Sequence, residues 1–212
     1  MSVRRRLRLA SWRGALVLCL VLAGAQQLAG AGLIQAKAWL APLLIERAWQ
    51  RTASAADHIR PWPWADTWPV ARLRVPARRL SRLVLAGVTG NALAFGPGHA
   101  RASAPPGSGG LVVIGEHRDT HFAFLREVGP GERIELELPG GAVRRYRVES
   151  TRVVDSRREA LPVRGGRDAL LLVTCFPFGA LRAGGPLRYV VSARPEGPQR
   201  TLAGPPTAPA PR

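Results

Sequence analysis

The chain has 212 residues, 31 basic against 14 acidic, a formal net charge of +17 and two cysteines. An apolar N-terminal run and two polar tails leave room for one domain of ordinary length with one core. Lys37 is the single lysine, so the charge is almost wholly arginine, and these arginines are scattered along the chain. A nucleic-acid surface clusters basic residues on one element with aromatics between them for stacking. The composition therefore argues for a solvated surface and against nucleic acid, with attraction to anionic lipid headgroups left open.

Residues 1–13 carry Arg4, Arg5, Arg6, Arg8 and Arg13 and no acid, and an uncharged run occupies 14–35. A helix of about 20 residues crosses a hydrocarbon core of roughly 30 Å. Positive charge ahead of it keeps the N-terminus cytoplasmic, so the chain beyond residue 35 emerges outside. A cleaved signal peptide is the competing reading, because Ala23, Gly24 and Ala25 form a small-residue cleavage site. Apolar character resumes from Leu28 to Ile34 and favours an anchor, while Gln26 and Gln27 weaken the span. Both readings export the domain.

The next stretch, 36–69, holds Trp39, Trp49, Trp62, Trp64 and Trp68 with Pro61, Pro63 and Pro69. Residues 36–50 suit an amphipathic continuation of the helix with tryptophans at headgroup level. The prolines of 60–69 end any helix and read as an extended stalk. An arm whose tryptophans pack on the adjoining domain is the other reading, and both stand.

Beyond the stalk, short apolar runs bounded by Gly, Pro and charge predict strands at 71–75, 82–86, 111–115, 133–138, 144–154, 169–174 and 187–192. RIELEL at 133–138 and RYRV at 145–148 alternate polar with apolar, as a half-buried antiparallel strand requires. Short helices are expected at 89–94 and 120–127. About seven short strands in so few residues predict an all-β fold, a closed or nearly closed barrel. The tail over 195–212 is Pro-rich and aperiodic, and is expected to be disordered.

Cys19 lies in the apolar run and cannot pair with Cys175 in a domain beyond it, so Cys175 is a lone thiol in an oxidising compartment. Such a thiol is either buried and inert or kept for its reactivity. Its surroundings favour reactivity. LLLVTCFPF at 170–178 is an apolar strand ending in Thr174 and Cys175 and stopped by Pro177, which holds the sulfur rigidly and presents it at a strand end. A cysteine attacks as thiolate and needs an imidazole or guanidinium nearby. GEHRDTHFAF at 115–124 supplies His117 and GGPLRYVV at 184–191 supplies Arg188, each beside a strand end. A fixed guanidinium also suits the oxyanion formed by attack on an amide.

At these residues the chain resembles the sortases. Val173, Thr174 and Cys175 resemble the strand-ending TLxTC motif, His117 with Arg118, Asp119 and Thr120 resembles the GHRDT turn, and Arg188 resembles the arginine opening the last strand. The order His, Cys, Arg agrees. The resemblance covers about residues 68–194, and HRDTHF, VTCFPF and GGPLRYVV most resemble the Gram-negative, single-anchor sortases. It implies a sortase-like eight-stranded β-barrel with short helices behind one transmembrane helix: a basic cytoplasmic 1–13, an anchor at 14–35, a Trp/Pro-rich helix and stalk at 36–69, a catalytic barrel at 70–194 and the tail 195–212. The barrel would lie on the periplasmic side of a bacterial inner membrane.

The implied activity is transpeptidation of a secreted protein bearing an LPxTG-like C-terminal sorting signal. Cys175 attacks the scissile carbonyl, His117 protonates the leaving amine, Arg188 holds substrate and oxyanion, and an acceptor amine resolves the thioacyl enzyme. Thr174, Asp119 and Thr120 would bind substrate or orient the site. No cofactor is implied, and no acidic cluster has the spacing of an EF-hand, so no metal is assigned. Glu116 stands where the family commonly has Gly. It is either a partner for His117 or a side chain turned away, since strand neighbours face opposite sides.

Other candidates carry less. His121 lacks a third ligand for zinc, His99 reads as a loop or packing residue, and Arg182 sits in a loop where Arg188 begins a strand. Two further classes use the same residues: a periplasmic cysteine hydrolase, in which water resolves the thioacyl enzyme, and a non-catalytic, membrane-tethered β-domain with an inert Cys175.

Overall fold

A computed structural model describes residues 3–52, 58–163, 167–180 and 184–197. The chain divides into two units, Met1–Leu43 and Leu44–Arg212. Helix α1 runs unbroken over Val3–Thr52, through the small-residue site at 23–25 and with Pro42 inside it. Within it Gly14–Gly32 has a mean hydropathy of 1.7 and no residue buried by protein. Its 19 residues rise about 28 Å, the thickness of a bilayer's hydrocarbon core. The helix is thus compatible with a single-pass anchor.

In the second unit eight strands close a barrel in the order β1-β2-β3-β4-β7-β8-β6-β5. They are β1 Pro69–Val75, β2 Leu80–Ala86, β3 Gly98–His99, β4 Leu111–Glu116, β5 Arg133–Glu137, β6 Val143–Asp155, β7 Ala169–Cys175 and β8 Leu187–Pro195. All seven predicted strands form. Period-2 alternation explains β1 and β5, where Ala71, Leu73, Ile134 and Leu136 point into the barrel between exposed or half-exposed neighbours. The short helices form as α2, Gly90–Leu93, and as a 3-10 helix at Ala123–Glu127.

The run LLLV of β7 is apolar throughout because it is covered on both faces. Leu170 and Leu172 belong to the barrel interior, whereas Leu171 and Val173 pack on its outside with Val113, Val154, Val190 and Leu161. Neighbouring β4 is covered likewise and pairs with β7 in parallel. The outer patch is covered in part by Leu161, from the connection between β6 and β7.

Strand β3 has no counterpart among the predicted strands, since two residues carry no period. It pairs in parallel with β2 and antiparallel with β4, closing the barrel between them. Gly98 permits this: a Cβ there would stand 2.1 Å from the Gly87 carbonyl oxygen. His99 is a packing residue. Its Nε2 lies 2.9 Å from the Ala104 carbonyl and 3.1 Å from the Ser103 hydroxyl, and burial pushes its pKa down.

The tryptophan segment divides between its two readings. Residues 58–68 pack on the barrel as an arm: Thr67 donates to the Ala86 carbonyl at 2.8 Å, Trp62 meets the edge of Phe95, and Trp68 is held between His58 and the Arg101 guanidinium. Trp49 is buried beneath Arg72, which Glu46 pairs at 2.6 Å. The stalk expected at 60–69 is therefore a bound arm, because its backbone and rings find partners on the barrel. Trp39 and Trp64 are exposed. The tail expected at 195–212 lies, from residue 198, outside the described residues, as does Arg182.

Candidate active site

Register brings the candidate residues together. In β4 and β7 Glu116 is opposite Thr174, so His117, the next residue, comes level with Cys175. In β7 and β8 Cys175 is opposite Arg188 and Thr174 opposite Tyr189. The histidine, cysteine and arginine thus come from the same end of three adjacent strands.

Alternation then decides which way each points. Val112, Ile114, Leu170, Leu172 and Val191 line the barrel interior, and Glu116, Thr174 and Tyr189 continue those inward rows. Val113, Leu171, Val173 and Val190 face outward, and Cys175 and Arg188 continue the outward rows of β7 and β8, while His117 follows the last residue of β4 and is exposed. Cys175 and Arg188 thus share the outer face of β7-β8 with the apolar side chains of that face. Cys175 and Arg188 are half-buried and His117 is exposed, a placement that leaves the thiol reachable from solvent and backed by protein.

Arg188 lies between Cys175 on one side and Val154 of β6 on the other. Its Nη1 donates to the Gly185 carbonyl at 2.7 Å and the Leu187 carbonyl at 2.9 Å. Gly184 and Gly185 both have a φ of +91°, left-handed backbone that glycine adopts without strain. The glycine pair thus turns a carbonyl towards the arginine at the head of β8.

The residues expected to bind or orient behave differently from one another. Thr174 is buried and donates to the Glu116 carbonyl at 2.6 Å, tying the strand that ends in Cys175 to the strand that precedes His117. It faces the barrel interior, away from the outer face that Cys175 and Arg188 share. Asp119 is exposed and 3.1 Å from the Arg118 Nε. Thr120 is exposed and donates to Glu116 Oε1 at 3.2 Å. Of the two readings of Glu116, the inward-turned side chain is the one found. Burial pushes its carboxyl up to about 7, the His117 backbone N–H and the Thr120 hydroxyl opposing the rise.

Sequence reasoning passed over Arg118. Its guanidinium is buried, and its Nη2 donates to the Ala180 carbonyl at 3.1 Å, joining the histidine turn to the loop after Cys175. An arginine in a polar turn gives no sign of burial. Phe176, Phe178 and Tyr189 form a second unpredicted feature, three rings in mutual contact behind the cysteine. His121 is half-buried, and burial, Arg82 and His117 together lower its pKa. Among the described residues no group of three His, Cys, Asp or Glu side chains is placed to hold a metal.

A sortase-domain family model matches residues 73–196, more than half of the chain, which therefore belongs to the sortase family, a family of cysteine transpeptidases. Sortase D of Bacillus subtilis (strain 168) is 28% identical over 120 residues, 56% of this chain and 60% of the relative. Sortase C1 of GBS Pilus Island 1 superposes with a TM-score of 0.53 at 25% identity, over 61% of this chain and 66% of that one. The matches thus span under two thirds of the length of either relative. A Clostridium perfringens sortase D5 transpeptidase shares the fold at a TM-score of 0.52 and 19% identity, covering 72% of this chain and 89% of that one.

Proposed function

We propose that this chain is a sortase-type transpeptidase of the Gram-negative, single-anchor kind, with Cys175 as nucleophile, His117 as proton carrier and Arg188 as the oxyanion and substrate cation. The Cys175 thiolate adds to the carbonyl of a sorting signal of LPxTG type lying along the outer face of β4-β7-β8. The tetrahedral oxyanion collapses as the amide C–N bond breaks, and His117 gives its proton to the leaving amine. An acceptor amine then attacks the thioester, His117 takes the amine's proton, and the thiolate leaves. Arg188 meets the substrate by exchanging its bonds to the Gly185 and Leu187 carbonyls for the oxyanion or a backbone carbonyl of the signal.

The observation that supports this reading is the register, in which Cys175 is opposite Arg188 and Glu116, the residue before His117, is opposite Thr174, the residue before Cys175. The helix over 14–32 would anchor the enzyme in the inner membrane, the arginines of 1–13 remaining cytoplasmic and the barrel working in the periplasm on a secreted protein. The chemistry needs no cofactor. The test is mass spectrometry of the protein with an LPxTG-type peptide and an amine, beside Cys175→Ala. A thioester at Cys175 and an amine-ligated product from the wild type alone support the reading. An acyl-enzyme resolved only to acid makes the protein a hydrolase. A Cys175 unmodified across a library of signal peptides removes catalysis.

A further inference from the structure

Glu116 ends β4, and its side chain enters the mouth of the barrel in line with Val112 and Ile114. The residue is 5% exposed. Its Oε1 accepts the Thr120 hydroxyl at 3.2 Å, while its Oε2 meets no hydrogen-bond donor among the described residues. Leaving a buried carboxyl oxygen unpartnered costs the desolvation of that atom, so an apolar residue would serve the barrel better. The carboxyl stands at the one position where its neighbours are the candidate histidine and the residue preceding the candidate nucleophile.

The same residue is held twice. Its side chain joins Thr120, within the turn that begins at His117, and its main-chain carbonyl accepts the Thr174 hydroxyl at 2.6 Å. The turn is also closed by Phe122 N–H to the His117 carbonyl and Ala123 N–H to the Thr120 carbonyl, each 3.3 Å, and by Arg118 reaching Ala180. His117 itself is exposed, so packing alone does not fix it.

We propose that Glu116 is a positioning residue for His117: its buried carboxyl ties the 117–122 turn, through Thr120, back onto the end of β4, which the Thr174 hydroxyl joins to the Cys175 strand, and so holds the imidazole beside the thiol. The imidazole's task rests on the transpeptidase reading; the tie itself does not. Without the carboxyl, both Thr120 and the His117 N–H lose a polar partner, and the turn keeps its two backbone bonds and Arg118. An imidazole displaced by about 1 Å then costs roughly a hundredfold in rate. Glutamine keeps an oxygen for Thr120, so the role lies in the acceptor and not in the charge.

The test compares full-length wild type, Glu116→Gln, Glu116→Ala and Thr120→Val in detergent micelles. Hydrogen exchange at the Phe122 and Ala123 amides reads the turn without substrate. The kcat and KM for amine-dependent transfer of an LPxTG-type peptide read its consequence. Glu116→Ala is expected to exchange at least about tenfold faster at Phe122, as the loss of one hydrogen bond implies. Its kcat should fall about 10- to 100-fold with KM within about twofold. Glu116→Gln should stay within about threefold of wild type on both readouts. Thr120→Val, an exposed substitution, should move the same way by a smaller factor and stands in should Glu116→Ala not fold. Wild-type exchange and kcat in Glu116→Ala overturn the proposal, as does a Glu116→Gln that falls as far as the alanine variant. A wild type that forms no Cys175-dependent product defeats the transpeptidase reading, and exchange at Phe122 then decides the tie alone.

Discussion

The same carboxyl makes stability depend on pH in a way that can be calculated. Glu116 has an ordinary value of 4.5 and is pushed up to about 7 by burial at the barrel mouth. In the native state it therefore holds its proton to higher pH than in the unfolded chain, and folding binds a proton between those values. Its contribution to stability is fully present below pH 4.5, is lost as pH rises and is gone above about 7. The gap between the two values, at about 1.4 kcal/mol per pH unit, sets the loss on the order of 3 kcal/mol. Replacing Glu116 by Gln removes this titration and leaves every other group in place. Urea unfolding of the unit from Leu44 onward, at several pH values from 4.5 to 8, should show the Gln variant gaining on wild type by up to about 3 kcal/mol as pH rises. Asp168, raised by burial, and His99, lowered by it, titrate in both proteins and cancel. A difference that is flat within about 0.5 kcal/mol over this range would refute an inward, desolvated carboxyl.

Three further outcomes are expected. Replacing His117 by Ala should lower acyl transfer by about 10²- to 10⁴-fold with the fold unchanged, measured by single-turnover acylation beside circular dichroism. Arg188→Lys should lose about 10²- to 10³-fold in kcat because a compact ammonium lacks the planar fork that would turn from the Gly185 and Leu187 carbonyls to the oxyanion, whereas a wild-type rate would remove Arg188 from the oxyanion role. Leu172→Ala empties a fully buried position of β7 inside the barrel and should cost about 2 to 5 kcal/mol, read as a fall in thermal midpoint.

Much of the barrel was legible in the chain because strand signals are local. Alternation over 133–138 and 145–148, and the unbroken apolar run at 170–173, report which faces are covered without reference to any partner. The three chemical segments were legible for the same reason: a lone cysteine at the end of an apolar strand, and a histidine and an arginine beside the ends of two others. Pairing was not. Strand β3 is two residues long and exists because β2 and β4 leave a gap that Gly98 can enter. The tryptophan arm is fixed by Ala86, Phe95 and Arg101, residues far along the chain.

Which residue types are present, where most strands begin and end, and that an apolar segment precedes an all-β domain can all be read along the chain, since composition and period are properties of covalent neighbours. That Cys175 stands opposite Arg188, with the end of β4 and so His117 next to the other side of β7, is settled only when the barrel closes. Thr174 and Glu116, one residue away from the cysteine and the histidine, turn inward. Their hydrogen bond closes the end of the six-pair ladder of β4 and β7, and a one-residue slip would exchange the two faces. A strand's pattern states that two faces differ, whereas the closure of eight strands around one core states which face is inside.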